Sequence, residues 1–303
     1  MQRFIQLTKR NMLLYLRDRG SVCFSLLSMF IVIMLMMLFL SDINIQNITE
    51  LLSELPSHDT ANDEKHASLF ILAWTAAGII PINAVMVTLS VLTSMIRDKT
   101  TGRIQSIYTA PIRRSTIACS YITAAGLCSI LICVLTLGLS ELYLCIRGME
   151  VLPVMAHLKL SGMILVNSFA YAAMMYLLAT LVRSEGAWSG IGTIIGTLVG
   201  FLGGIYLPVG QLADGLTTVM SCTPVIYSTV MFRSVMTEAV AEATFADAPA
   251  QMLEAYREVM GITYEAFGHS SSPLGCIIIV AAFGAAFMIA GVLVTTYTNK
   301  KDR

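Results

Sequence analysis

Apolar residues along this chain gather in long blocks instead of the alternating or short-period patterns of a soluble core. Six blocks, at about 22–41, 70–95, 119–146, 160–182, 188–207 and 274–297, each reach the roughly 20 residues that a helix needs to cross the hydrocarbon of a bilayer. They predict an all-α polytopic membrane protein, with residues 1–303 forming a single transmembrane domain of six spans.

Between the blocks the pattern changes period. Phe4, Ile5, Met12, Leu13 and Leu16 stand among basic residues ahead of the first block, which predicts an interfacial helix lying on the inner leaflet. In the loop 97–114, Ile104, Ile107 and Tyr108 follow Gly102 at helical spacing and predict a short amphipathic helix. Pro111 ends it, and Arg113-Arg114 mark the return to the membrane surface. The fifth block carries Gly192, Gly196, Gly200 and Gly204, a small-residue stripe suited to close helix packing. Gly78 and Pro81 in the second block predict a kink or local loosening.

The outer loop and hairpin at 208–273 are more broken. Gly203 to Leu212, and the piece running on to Tyr227, are too short to span and too apolar for a solvated loop. They fit a re-entrant hairpin between the last two spans, shielded by neighbouring helices. Thr237 to Tyr264, rich in Ala, Glu and Met, predicts one or two outer helices around Pro249.

Composition supports a bilayer: 56% of residues are hydrophobic and 13% charged, too little charge for a soluble protein of this size. Net charge is zero, but with six spans 14 of the 19 Lys and Arg residues share one face with both termini. The positive-inside rule makes that face cytoplasmic, and predicts a multi-pass protein of a bacterial-type plasma membrane. The first span lacks a small-x-small site after Leu40, so it is read as a retained helix, not a cleaved signal.

Candidate chemistry is sparse. The chain has no phosphate loop, G-x-S-x-G elbow or H-E-x-x-H motif, so it is not expected to be an enzyme by itself. Seven scattered cysteines contain no C-x-x-C pair; a disulfide among Cys145, Cys222 and Cys276 stays open. His58, Asp59, Asp63, Glu64 and His66 read as a solvated acidic loop in preference to a metal site, and His157 and His269 as isolated. Ionisable residues inside the spans are nearly absent, with Glu141 near an outer end. A carrier driven by protons or sodium usually needs buried carboxylates or broken helices, so the energy is expected to come from outside the membrane. Asn83, Thr88, Thr197 and Tyr206 are the polar candidates for a pathway on the second and fifth spans. An ATPase-independent channel or secondary carrier, and a ligand-sensing membrane protein, are the competing classes.

Several segments together resemble the membrane subunits of type-2 ABC exporters, the drug- and polysaccharide-export permeases. Arg17-Asp18 resembles the basic-acidic pair ahead of that family's first helix. Thr101-Gly102-Arg103-Ile104-Gln105-Ser106-Ile107 with Ala110-Pro111 resembles its coupling loop. Gly203 to Leu212 resembles its glycine-proline turn, and Pro224-Val225-Ile226-Tyr227 its hairpin return. Thr100 or Thr101 stands where the family has an acid, and Gln105 where it has a second glutamate, leaving this loop unusually cationic.

The resemblance implies export of an amphipathic drug, peptide or lipid-like substrate. It also implies cytoplasmic ABC ATPase subunits that bind ATP and Mg, a second membrane subunit in a homodimer or heterodimer, and no role for nucleic acid. Arg97, Thr100, Thr101, Gly102, Arg103, Ile104, Ile107, Tyr108, Pro111 and Arg113 would form the ATPase-coupling element.

Overall fold

The computed structural model describes residues 2–20, 22–23, 27, 31, 34, 41–53, 60–109, 112–206, 208–246, 248–266 and 269–298. Helix α1 (Gln2–Leu16), α2 (Ser41–Ser53) and α3 (Thr60–Thr100) are followed by a short α4 (Arg103–Thr109) and the long α5 (Arg114–Ile146) and α6 (Val154–Leu181). Then come α7 (Glu185–Leu202), a 3-10 turn (Val209–Gln211), α8 (Asp214–Ser221), α9 (Pro224–Met236), α10 (Glu238–Thr244), α11 (Ala250–Val259) and α12 (Pro273–Thr298). A two-stranded antiparallel ribbon, β1 (Tyr264–Ala266) and β2 (His269–Ser271), precedes α12. That ribbon is the one departure from an all-α architecture among the described residues.

Among those residues, four helices are long and apolar enough to cross a membrane: α3, α5, α6 and α12. The protein is therefore an all-α polytopic membrane protein in its main architecture. The first predicted span, 22–41, lies for the most part outside the described residues. The fifth, expected over 188–207, is an 18-residue helix that stops at Leu202. At 1.5 Å per residue it reaches about 27 Å, slightly less than a hydrocarbon core of about 30 Å.

α3 is the axis of the fold. Its 41 residues extend well beyond the predicted 70–95 at both ends, and the helix runs unbroken through Gly78 and Pro81. It packs against α1, α2, α5, α6, α7, α9 and α10. Phe70, Ile80, Leu92 and Ile96 are wholly enclosed in this packing. α12 lies along α6, where close approach depends on glycine: a Cβ on Gly284 would meet Ala170 Cα at 2.8 Å.

At one end of the bundle α2, the start of α3, α10 and α11 bury a second apolar cluster around Ile48, Phe70, Trp74 and Phe245. Pro249 stands at the N-cap of α11, at the break expected between two outer helices. α8 and α9 meet at 85°, and α9 is surrounded on nearly every side. α9 is the covered limb of this bent pair, whereas Gly215, Thr218 and Val219 of α8 stay exposed.

α1 is not solely an interfacial helix. Thr8, Asn11 and Tyr15 are buried, facing α5 and α3, while Ile5 and Leu14 stay exposed.

Candidate functional site

The corner between α3 and α4 is shaped by its own sequence. Thr101 donates its hydroxyl to the Arg97 carbonyl at 2.7 Å, and the Gly102 N–H reaches the Lys99 carbonyl at 3.2 Å. Gly102 has φ 72°, the left-handed conformation that stops a helix and that residues with a Cβ avoid. α4 starts at once, with Ile104 buried and Ile107 packed against the core. Arg103, Gln105 and Ser106 face outward, so the predicted stripe does separate an inner from an outer face. The Tyr108 side chain and Pro111 lie outside the described residues; Arg113 is the exposed N-cap of α5.

Residues beside this corner fasten it to four other helices. Asp98, with its side chain 3% exposed, receives both Arg10 guanidinium nitrogens from α1 at 2.7 Å each. Tyr121 of α5 donates its hydroxyl to the same carboxylate at 2.7 Å. The Asp98 carboxylate holds the Arg10 guanidinium above its ordinary pKa, against the opposing pull of desolvation. Lys99 Nζ donates to the carbonyls of Ala179, Thr180 and Val182, at 2.6, 3.2 and 3.2 Å. A cation here also complements the negative end of the α6 dipole. The Thr100 hydroxyl lies 3.2 Å from Glu185 Oε1 in the first turn of α7.

Sequence reading missed Arg10, Asp98, Lys99, Tyr121 and Glu185. A lone acid among Arg97, Lys99 and Arg103 was the available signal. The excess positive charge of the loop is also smaller than its composition implies: Lys99 turns inward, leaving Arg97, Arg103 and Arg113 exposed.

On the flank of α3, α7 lies close against it. A Cβ on Gly192 would meet Leu89 at 3.2 Å, and one on Gly196 would meet Met86 at 3.3 Å. A Cβ on Gly200 would collide with the Tyr206 ring. Gly204 does not continue this stripe; it sits beyond the helix in a turn, with φ 60°. Above the contact opens a cavity of about 530 Å³, whose walls include Ile82, Asn83, Met86, Thr197, Phe201 and Tyr206. Asn83 is tethered by donation to Thr136 Oγ1 at 2.9 Å. Tyr206 packs edge-on to Phe201, with ring centroids 5.0 Å apart. Thr88 is not part of this wall: it is fully buried and bonds to the Val85 carbonyl within its own helix.

The family model for the ABC-2 family transporter protein matches residues 40–295. This chain belongs to that family. It is a permease subunit, the membrane component of an ABC transporter, whose partners are ABC ATPase subunits. No curated protein matches the chain. The match takes in the α3–α4 corner and the α3–α7 cavity, whereas α1 with Arg10 precedes it.

Among the described residues of this permease the most enclosed cation is Arg233, within the stretch 208–273 that the sequence predicts as an outer loop and hairpin. It is completely buried in α9. Its guanidinium donates to the Gly204 carbonyl at 2.9 Å and to the Met260 carbonyl at 3.3 Å. Its Cζ lies 3.9 Å over the Trp74 ring, a cation–π contact strengthened by the absence of water. Trp74 donates its own indole N–H to the same Met260 carbonyl at 2.7 Å. One arginine thus joins α3, the turn after α7, α9 and the segment after α11. Hydropathy alone cannot separate such a residue from a loop arginine.

Glu141 and His157 are likewise joined. His157 Nε2 lies 2.8 Å from Glu141 Oε2, and the Leu152 N–H donates to Glu141 Oε1 at 3.0 Å. His157 is therefore not isolated: the pair closes the α5–α6 turn. His58 and Asp59 lie outside the described residues, among which no metal-sized group of His, Cys, Asp and Glu converges. All seven cysteines are free thiols.

Proposed function

We propose that this permease exports an amphipathic drug, peptide or lipid-like substrate, driven by ATP hydrolysis in separate cytoplasmic ATPase subunits that hold ATP and Mg. The termini and the α3–α4 corner face the cytoplasm, and two membrane subunits, identical or different, form the transport unit. The observation that carries this reading is the anchoring of the corner. α4 presents Arg103, Gln105 and Ser106 outward, while Asp98, Lys99 and Thr100 connect its root to α1, α5, α6 and α7.

An ATPase dimer that closes on ATP moves the surface against which α4 rests. To do work on the membrane, the permease must contact the ATP-bound and ATP-free forms differently. Because α4 is bolted through charged and carbonyl contacts on adjacent residues, its displacement is passed to the helices and not absorbed in a loose loop. The cavity between α3 and α7 is the substrate route in this reading, with Asn83, Thr197 and Tyr206 along it. Its mixture of aliphatic, aromatic and amide or hydroxyl groups suits an amphipathic cargo.

The test is ATPase activity of the purified complex in lipid, with and without amphipathic substrates. Ile104→Asp is expected to leave insertion intact and to abolish substrate-stimulated hydrolysis, since it puts a charge on the buried side of α4. Normal export by that variant would exclude α4 as the coupling element.

A further inference from the structure

The α3–α4 corner sorts its charges by sign. Its one carboxylate, Asp98, is turned inward and occupied by Arg10 and Tyr121. Its one lysine, Lys99, is turned towards the carbonyls that end α6. What stays outside is arginine. Arg97 near the end of α3, Arg103 at the start of α4 and Arg113 at the head of α5 are exposed, as is Arg183 beside the Val182 carbonyl that Lys99 bonds. None of the four forms an ion pair among the described residues. The sequence supplies no acid to neutralise them, since no Asp or Glu stands between Asp98 and Glu141. Two exposed acids lie beside the corner: Asp18, which shares a cavity wall with Arg97 and Arg103, and Glu185, which accepts from Thr100. Setting both in full against the four guanidiniums, whatever else binds them, still leaves the face cationic.

α4 shows what kind of surface this charge meets. Its outward positions Arg103, Ser106 and Thr109 follow at steps of three, with Gln105 beside them. Among the described residues that side carries no apolar side chain, because Ile104 and Ile107 face the bundle. α1 is different: exposed Ile5 and Leu14 stand among exposed Arg3 and Lys9, the mixture that lies on a lipid surface. With its apolar side turned to the bundle, α4 has nothing to set among acyl chains, and its outer side suits a polar protein surface. The exposed cations are also all guanidiniums, which meet carboxylates in a bidentate fork and suit interface ion pairs better than ammonium groups do.

We propose that α4 docks into an acidic groove of the partner ATPase, with Arg97, Arg103 and Arg113 set against its aspartates and glutamates. This rests on the reading of α4 as the coupling element. It adds the chemistry by which the permease selects its ATPase, since a basic groove is rejected by like charge.

The test uses the full permease in phosphatidylcholine nanodiscs and the ATPase that co-purifies with it, with association kinetics followed at low and high salt. Arg97→Gln with Arg103→Gln and Arg113→Gln is expected to slow association at low salt by about ten-fold. It should also flatten the fall of the rate with added salt. The unfolding temperature should not move, because all three side chains are exposed. Lys9→Gln removes an exposed cation of α1 and should leave the association rate as it is. A salt-independent rate, a triple variant that binds like the unaltered chain, or an equal loss from Lys9→Gln overturns the proposal. In nanodiscs that also contain phosphatidylglycerol the effect of the triple substitution should persist. Its disappearance there would mean that lipid headgroups hold these arginines, and overturns the acidic groove. Ile104→Asp separates this proposal from the reading beneath it. If that variant fails to bind while the triple variant binds normally, α4 docks but not by charge. If the triple variant loses its salt-dependent binding while Ile104→Asp still exports, the acidic contact stands and only the coupling role falls.

Discussion

Asp98 and Arg10 lie 88 positions apart in sequence, yet both carboxylate oxygens of one meet the guanidinium of the other at 2.7 Å. The pair joins the N-terminal helix to the root of α4. A bidentate arginine–carboxylate contact fixes orientation as well as distance, so α1 and the α3–α4 corner are expected to move as one body.

Arg10→Met should therefore destabilise the permease by about 2–3 kcal/mol, because it strands a buried carboxylate with Tyr121 as its remaining donor. The figure falls below that for a fully enclosed pair because the Arg10 side chain is 34% exposed. Asp98→Leu combined with Arg10→Met should cost less than the sum of the single changes. Thermal unfolding of the four proteins in one detergent checks this, and additive losses would show that the two groups do not interact.

Two glycines should respond differently to alanine. At Gly102 a Cβ meets nothing within 4 Å, so the cost is that of the left-handed backbone alone, about 1 kcal/mol, and Gly102→Asn should recover part of it. At Gly200 the new methyl strikes the Tyr206 ring, so Gly200→Ala should displace that ring into the cavity. Gly200→Ala with Tyr206→Ala should restore the packing that Gly200→Ala alone disrupts. Tyrosine fluorescence with unfolding temperature reads both effects.

Arg233→Lys is expected to be severe despite conserving charge. A lysine ammonium cannot reach the Gly204 and Met260 carbonyls in the fork geometry while lying flat on Trp74. A loss of more than about 3 kcal/mol follows from breaking a buried polar network. Limited proteolysis should show new cleavage between 237 and 263, the stretch that Arg233 holds through Met260. Unchanged protection there would mean the apolar cluster around Phe245 and Tyr256 is sufficient by itself.

How much of this was legible in sequence depended on the range of the interaction. The α3–α4 corner was readable because Gly102 and the Ile104–Ile107 spacing act within one turn. The lengths of the spans were not. Hydropathy at 70 falls because residues 60–69 become polar, but the helix continues since its inner side packs on α2. The end of α7 was misplaced in the opposite sense: Gly203 to Leu207 stays apolar, yet Gly204 turns the chain. Arg233 falls within a predicted loop and hairpin because charge lowers any hydropathy window, and its carbonyl partners and Trp74 are distant in sequence. The Asn83, Thr197 and Tyr206 side chains share one cavity, whereas Thr88, five residues beyond Asn83 and so about 140° round α3 from it, points into the core.

Lys99 gives the corner a chemical signature of its own. Its half-buried amino group donates to three carbonyls at the end of α6, so an amine-directed reagent must displace those hydrogen bonds to reach the nitrogen while α3 and α6 stay together. Acylation of this single side chain thus becomes a clock for the parting of those two helices, readable by mass spectrometry in an unmodified protein during turnover.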